Sequence, residues 1–282
     1  MNCYQYEIYH NKNYIFDNVD ATYVLTMENS PRLENVKKQL SEYFLTKTTY
    51  IQHNKGFKKC NKTLPPNREV NISYLDLSHA YLQAFRHAQI HNFKNILVLE
   101  DDFIISPEIT NRTYIREINK FIHYINKTGG LIQLGTLPHI TIKHNEFFRK
   151  CIVSSGTHAN IYSQQYINHT INTAHTIEDF DCYVNNDGNN YRFCFYKPLV
   201  YQIYEQTENR NHWGQQYGGI VRKIMIPATN LVFYLTNIDK TPEPGTSWLY
   251  KNQVFMYDFA TPLIIALLLS YGAYINNTTV KI

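Results

Sequence analysis

The chain has 282 residues, 44% of them hydrophobic, enough to fill one large core or two small ones. A formal charge of +4 with 18% charged residues is too mild for a nucleic-acid-binding surface, which needs Lys and Arg massed along one face. The 24 Tyr, with an abundance of Asn, Lys and Ile, read as drift in an AT-rich genome, such as that of a large virus or an AT-rich microbe, and not as a functional signal.

From the start, MNCYQYEIYHNKNYIF lacks the basic region and apolar run of a secretory signal. ATYVLTM (21–27) is a β-prone run, and Ser30-Pro31 then offers a cap and a first-turn proline to PRLENVKKQLSEYF, where Leu33, Val36, Leu40 and Phe44 recur at helical spacing. TTYIQH (48–53) predicts a second strand, and the Lys- and Pro-bearing stretch 55–71 an exposed loop. A helix follows over 74–91, lined by Leu77, Ala80, Tyr81, Ala84, Phe85 and Ala88, and it leads into the strand NILVLE. Further strands are expected at GLIQLG, CIVSS, HANIYS, YRFCFY and LVYQI, with a helix over 164–174. PLIIALLLSYGAYI (262–275) is uncharged but shorter than the ~20 residues of a membrane span. It is expected to be a buried helix opened by Pro262, with a tail anchor or an oligomer (homodimer) interface as the alternatives. Cys3, Cys60, Cys151, Cys182 and Cys194 are odd in number and lack a CxxC pair, so neither a disulfide framework nor a zinc ribbon is expected, and a reducing, cytoplasmic compartment is. No linker or repeat divides the chain, which predicts a single α/β domain over 1–282 with a mostly parallel central sheet and an irregular part from 206.

NILVLE ends in three consecutive carboxylates, Glu100, Asp101 and Asp102. Adjacent acids repel, and burying them costs several kcal/mol in order of magnitude unless a cation or donors compensate. In open α/β sheets ligands gather beyond the carboxyl ends of the strands, where acids hold Mg or Mn against nucleotide phosphates. GxxxxGK[ST], GxGxxG after the first strand and GxSxG are all missing, which disfavours P-loop enzymes, dinucleotide dehydrogenases and α/β-hydrolases.

YLDLSHAYLQAFRHAQIHNFKNILVLEDDFIIS resembles the core of glycosyltransferase family 25, which includes lipopolysaccharide glycosyltransferases and collagen galactosyltransferases. Ser78-His79 on a helix and Glu100-Asp101-Asp102 after the next strand match that family in type and spacing. YVLTMENSPRLENVKKQL is similar to its opening strand and arginine-bearing helix, with Arg32 in the arginine's place. SSGTHANIYS is similar to its small-residue segment, and EDFDCYV to its apolar-Asp-apolar motif, with Asp181 in the family's position. The similarity covers roughly residues 20–205. Leu75-Asp76 departs from the family's Gly-Cys, and 53–73 has no counterpart.

The resemblance implies a GT-A-like fold, a nucleotide-sugar donor, commonly UDP-linked, a Mn or Mg ion, and inversion at the sugar carbon. Asp102, with Glu100, would hold the metal, Asp101, Ser78, His79 and Arg32 would serve the donor site, and Asp181 would be the base with Asp179 in reserve. Read without the family, Asp181 between Phe180 and Cys182 has the pattern of an exposed strand residue, Arg32 of a solvated first-turn side chain, and Ser78 and His79 of supports. His87 and His91 stand at i and i+4, a zinc-ligand spacing without a third ligand. QTENRNHWGQQYGG (206–219), with Arg210, His212 and Trp213, has the composition of a mobile loop over a sugar, and TPEPGTSW with Trp248 is similar in kind. Three functions are thus set against one another: a hexosyltransferase acting on a glycan or protein hydroxyl, a protein of the same fold that binds without turnover, and a sugar nucleotidyltransferase.

Overall fold

Strands buried on both faces need apolar residues at successive positions, because adjacent side chains enter opposite cores. The computed structural model describes residues 2–186, 188, 191–203 and 262–270, with 227, 230, 231, 234 and 235, and it has this arrangement at its centre. In β2 (Ala21–Met27) and β6 (Asn95–Glu100), Tyr23, Leu25, Ile96 and Val98 enter one core, and Val24, Leu97 and Leu99 enter the other.

α2 (Ser73–Ile90) covers the first core with Ala80, Tyr81, Ala84, Phe85 and Ala88. α1 (Leu33–Glu42) and α3 (Arg112–Thr128) cover the second, through Val36 and through Ile118, Phe121, Ile122 and Ile125. Each fully buried side chain of this kind stabilises by roughly 1.5–3 kcal/mol relative to exposure.

The described sheet has seven strands in the order β1-β3-β2-β6-β9-β10-β8, and β8 also pairs with β9. β3 (Thr48–Asn54), β2 and β6 are parallel, while β1 (Tyr4–His10) closes the edge antiparallel to β3. β9 (Phe148–Ser163) runs antiparallel to β6 and returns along β8 (Leu131–Lys143), and β10 (Arg192–Phe195) lies parallel to β8. The sheet is therefore mixed, where a mostly parallel one was expected. CIVSS and HANIYS, predicted as separate strands, are one strand of a long hairpin, and a hairpin is necessarily antiparallel.

Among the elements that had gone unpredicted are β1 and α3. β1 is an edge strand, and α3 is held between Asn111, whose side chain accepts from the Thr113 and Tyr114 amides, and Gly129 at φ 73°. The predicted loop 55–71 carries a small hairpin, β4 (Thr63–Leu64) with β5 (Arg68–Glu69), and is tied to the edge strand by a Cys3–Cys60 disulfide. The cysteine count had argued against such a bond, and its presence removes the basis for assigning a reducing compartment. Cys151, Cys182 and Cys194 are not disulfide-bonded.

Residues 262–270 are helical, as predicted, but exposed. The expectation of a buried helix therefore fails at these residues. No described helix is long and apolar enough to cross a membrane. The segments 206–219 and 241–248 singled out above lie outside the described residues.

Candidate active site

β2 and β6 end side by side, with Leu25 opposite Glu100, so the acids sit at the carboxyl edge of the parallel strands. The chain then turns through Asp101 and Asp102 into β7 (Phe103–Ile105), which pairs with β11 (Val200–Gln202) so that Gln202 faces Phe103. β9 comes alongside with Ala159 opposite Leu99, which brings Thr157 to the end of β6.

Asp101 is fully engaged. Its Oδ1 is 2.8 Å from Arg32 Nη1, and its Oδ2 accepts from Thr26 Oγ1 at 2.7 Å. Arg32, expected at a phosphate or in solvent, is thus an ion-pair partner at the mouth of the acid site.

Asp102 has less support. Its Oδ2 accepts from Gln202 Nε2 at 3.1 Å, while its buried Oδ1 has no partner among the described residues. Burial, reinforced by the charge of Asp101 and opposed by Arg32 and Gln202, pushes its carboxyl up to about 7.

Glu100 Oε1 lies 2.8 Å from the Tyr81 hydroxyl and 2.9 Å from Thr157 Oγ1. The same Thr157 oxygen is 2.6 Å from Asp181 Oδ1, and the Tyr81 hydroxyl is also 2.9 Å from the Thr157 carbonyl. Two hydroxyls carry one hydrogen each, yet three oxygens compete to accept them. Among the described residues the cluster thus holds more acceptors than hydroxyl hydrogens, a deficit that a proton or a cation would make good.

The titration shifts agree with that deficit. Burial raises the Glu100 carboxyl well above its usual range, and the charges of Asp102 and Asp181 raise it further. Asp181 is pushed up to about 6 by burial and by Asp179, against the hydrogen bonds from Thr157 and the Gly156 amide. Both Glu100 and Asp181 keep partial solvent contact, so the site is reachable from outside, and water screening reduces the size of these shifts without reversing them.

Asp181 lies in a helix, α5 (Phe180–Asn186), and not in the strand its neighbours suggested, because Phe180, Tyr183 and Val184 are buried at helical spacing. Asp179 caps that helix, its Oδ1 accepting from the Cys182 amide at 3.0 Å, and this makes it a poor reserve base.

Ser78 and His79 are not brought to the acids. The Ser78 hydroxyl donates to the Tyr74 carbonyl within α2 at 2.9 Å. His79 Nδ1 pairs with the Tyr4 hydroxyl at 2.7 Å and its ring stacks on that tyrosine, with its pKa lowered to about 4 by burial and by the charges of Lys62 and Arg86. No third ligand joins His87 and His91 among the described residues; Nδ1 of His87 faces the Tyr23 hydroxyl and Nδ1 of His91 faces the His87 carbonyl.

Three contributors had no sequence signal of their own: Tyr81 was read only as core, Gln202 only as strand, and Thr157 lay unremarked inside SSGTHANIYS. Among the described residues no group of three or more His, Cys, Asp or Glu converges as a ready metal cage. Mg and Mn at nucleotide sites need only one or two carboxylates, the remaining ligands being phosphate oxygens and water. Asp102, with its unpartnered Oδ1, and Glu100, facing two other acids, fit that requirement.

No family model matches the chain, and no curated protein does. Among solved structures it is similar to the crystal structure of A197 from STIV, with a TM-score of 0.39 and 8% identity over 67% of this chain and 87% of that one.

Proposed function

We propose that this chain is a metal-dependent, inverting glycosyltransferase with a GT-A-like core, moving a hexose from a nucleotide sugar, UDP-linked by the family resemblance, to a hydroxyl of a glycan or protein. The observation that carries this reading is, among the described residues, a shortfall of donors at a reachable strand end, where Asp102 Oδ1 is unpartnered and Glu100 and Asp181 share one threonine hydrogen. Solvated loop acids would not be built this way.

Asp102 and Glu100 would hold the divalent ion, which would supply charge neutralisation for a departing diphosphate. Arg32, 2.8 Å from Asp101 Oδ1, fixes that carboxylate at the edge of the site. Asp181 takes the proton of the acceptor hydroxyl as that oxygen attacks the sugar carbon from the face opposite the leaving group. Its raised pKa, near 6, makes it a stronger base than an ordinary aspartate while leaving it ionised at pH 7. Thr157 orients it through the 2.6 Å hydrogen bond.

The test is incubation with UDP-hexoses and Mn. The reading requires UDP release that vanishes in Asp102→Ala. Undiminished release in that variant would remove the metal assignment, and release of pyrophosphate from a nucleoside triphosphate would favour a nucleotidyltransferase.

A further inference from the structure

Residues 262–270, PLIIALLLS, form a helix in which every position is exposed. Leu263, Ile264, Ile265, Leu267, Leu268 and Leu269 are 43% to 70% exposed. At about 100° per residue these six side chains sweep roughly two thirds of the helix circumference, and Ala266 and Ser270 occupy the rest. Ser270 Oγ donates to the Ala266 carbonyl at 2.8 Å, so the one hydroxyl of the helix is satisfied within it. No Asp, Glu, Lys or Arg occurs between Asp258 and Lys281.

This pattern discriminates between occupants. A helix that docks in a protein groove, including a groove on a second copy, carries one apolar stripe opposite a polar face. A groove would cover that stripe and leave the remaining leucines in water. Hydrocarbon surrounds an inserted helix on all sides, which suits one that is apolar all round. Nine helical residues rise about 13.5 Å, less than half of a hydrocarbon core of about 30 Å, so the helix cannot cross and both of its ends stay within reach of the headgroups of one leaflet. Tyr271 and Tyr274 follow in the sequence, a residue type that favours the headgroup level, and the chain's +4 charge is complementary to an anionic leaflet.

We infer that residues 262–270 insert into one leaflet of an anionic bilayer and hold this chain at a membrane surface without crossing it. The inference is independent of the acid site.

Flotation of the full chain with vesicles of phosphatidylcholine and phosphatidylglycerol tests it, beside the uncharged variant Ile264→Gln, Leu267→Gln, Leu268→Gln. The wild type should float with the vesicles and the variant's floated fraction should fall by about tenfold or more, with an unchanged melting temperature because the substituted side chains are more than half exposed. The inference is overturned if the wild type stays at the bottom of the gradient, or if the variant floats as well as the wild type. It is equally overturned if the wild type self-associates in light scattering, ignores vesicles, and becomes monomeric in the variant, since the helix would then serve a second copy.

Discussion

Two buried charge clusters lie at the ends of the parallel strands and α2, and they are built to opposite standards. In the first, Lys62 Nζ is 2.5 Å from Asp76 Oδ1, donates to Asn54 Oδ1, and stands over the Tyr4 ring at 4.9 Å. Asp76 Oδ2 accepts from the Asn54 side chain and the Phe57 amide, each at 3.2 Å, so the donors and acceptors of this cluster are matched. In the second, around Glu100, Asp102 and Asp181, acceptors outnumber hydrogens and one buried oxygen has no partner among the described residues. A network closed on itself serves the fold. One left open at a strand end, against its own stability, is where a ligand is expected to complete it.

If that contrast holds, removing charge should have opposite consequences in the two places. Lys62→Ala leaves Asp76 buried without its counter-ion, and should cost about 3–5 kcal/mol in a denaturant melt. Cys3→Ser opens the 57-residue separation closed by the disulfide and should cost about 2–4 kcal/mol, on the side of the molecule that the Lys62 cluster organises. Asp102→Asn should do the reverse and stabilise the metal-free protein at pH 8 by about 1–3 kcal/mol while abolishing transfer. The sign follows from its raised carboxyl: the folded state holds a proton that the unfolded chain has lost, so this group's stability is complete below the usual aspartate value and fades as pH rises through about 7. Melting temperatures taken with and without Mn across pH 5 to 8 check it, and a wild type that loses nothing over that range contradicts it. The smallest effect is kinetic. Transfer should rise with pH through a limb near 6, set by Asp181, and Thr157→Val should move that limb upward because the carboxylate loses a donor.

The central strand was legible because NILVLE is apolar at successive positions, which only a strand buried on both faces needs, and the acids that end it mark the site by the cost of their burial. The partners that decide its chemistry were not. Thr157 reaches Glu100 only through the register that sets Ala159 opposite Leu99, Tyr81 reaches it from the preceding helix through the packing of that helix on the sheet, and Gln202 arrives from a strand far along the chain, none of which local spacing encodes. The seven residues of α5 are too few to separate helical from strand periodicity, which is how Asp181 was taken for an exposed strand residue. Ser78-His79 is the opposite case, adjacent in sequence and prominent as a motif, yet its hydroxyl turns back onto its own helix and its imidazole turns to Tyr4. The 262–270 helix was recognised by composition, but composition could not say whether anything packs on it.

The account rests on a divalent cation completing the Glu100 and Asp102 cluster against a diphosphate. Calorimetric titration of UDP into the protein measures this directly, with Mn present, with Mn omitted, and with Asp102→Asn in place of the wild type. The account predicts binding that needs both Mn and the Asp102 carboxylate, with affinity falling by about a hundredfold or more when either is removed. Equal affinity in all three titrations would contradict it.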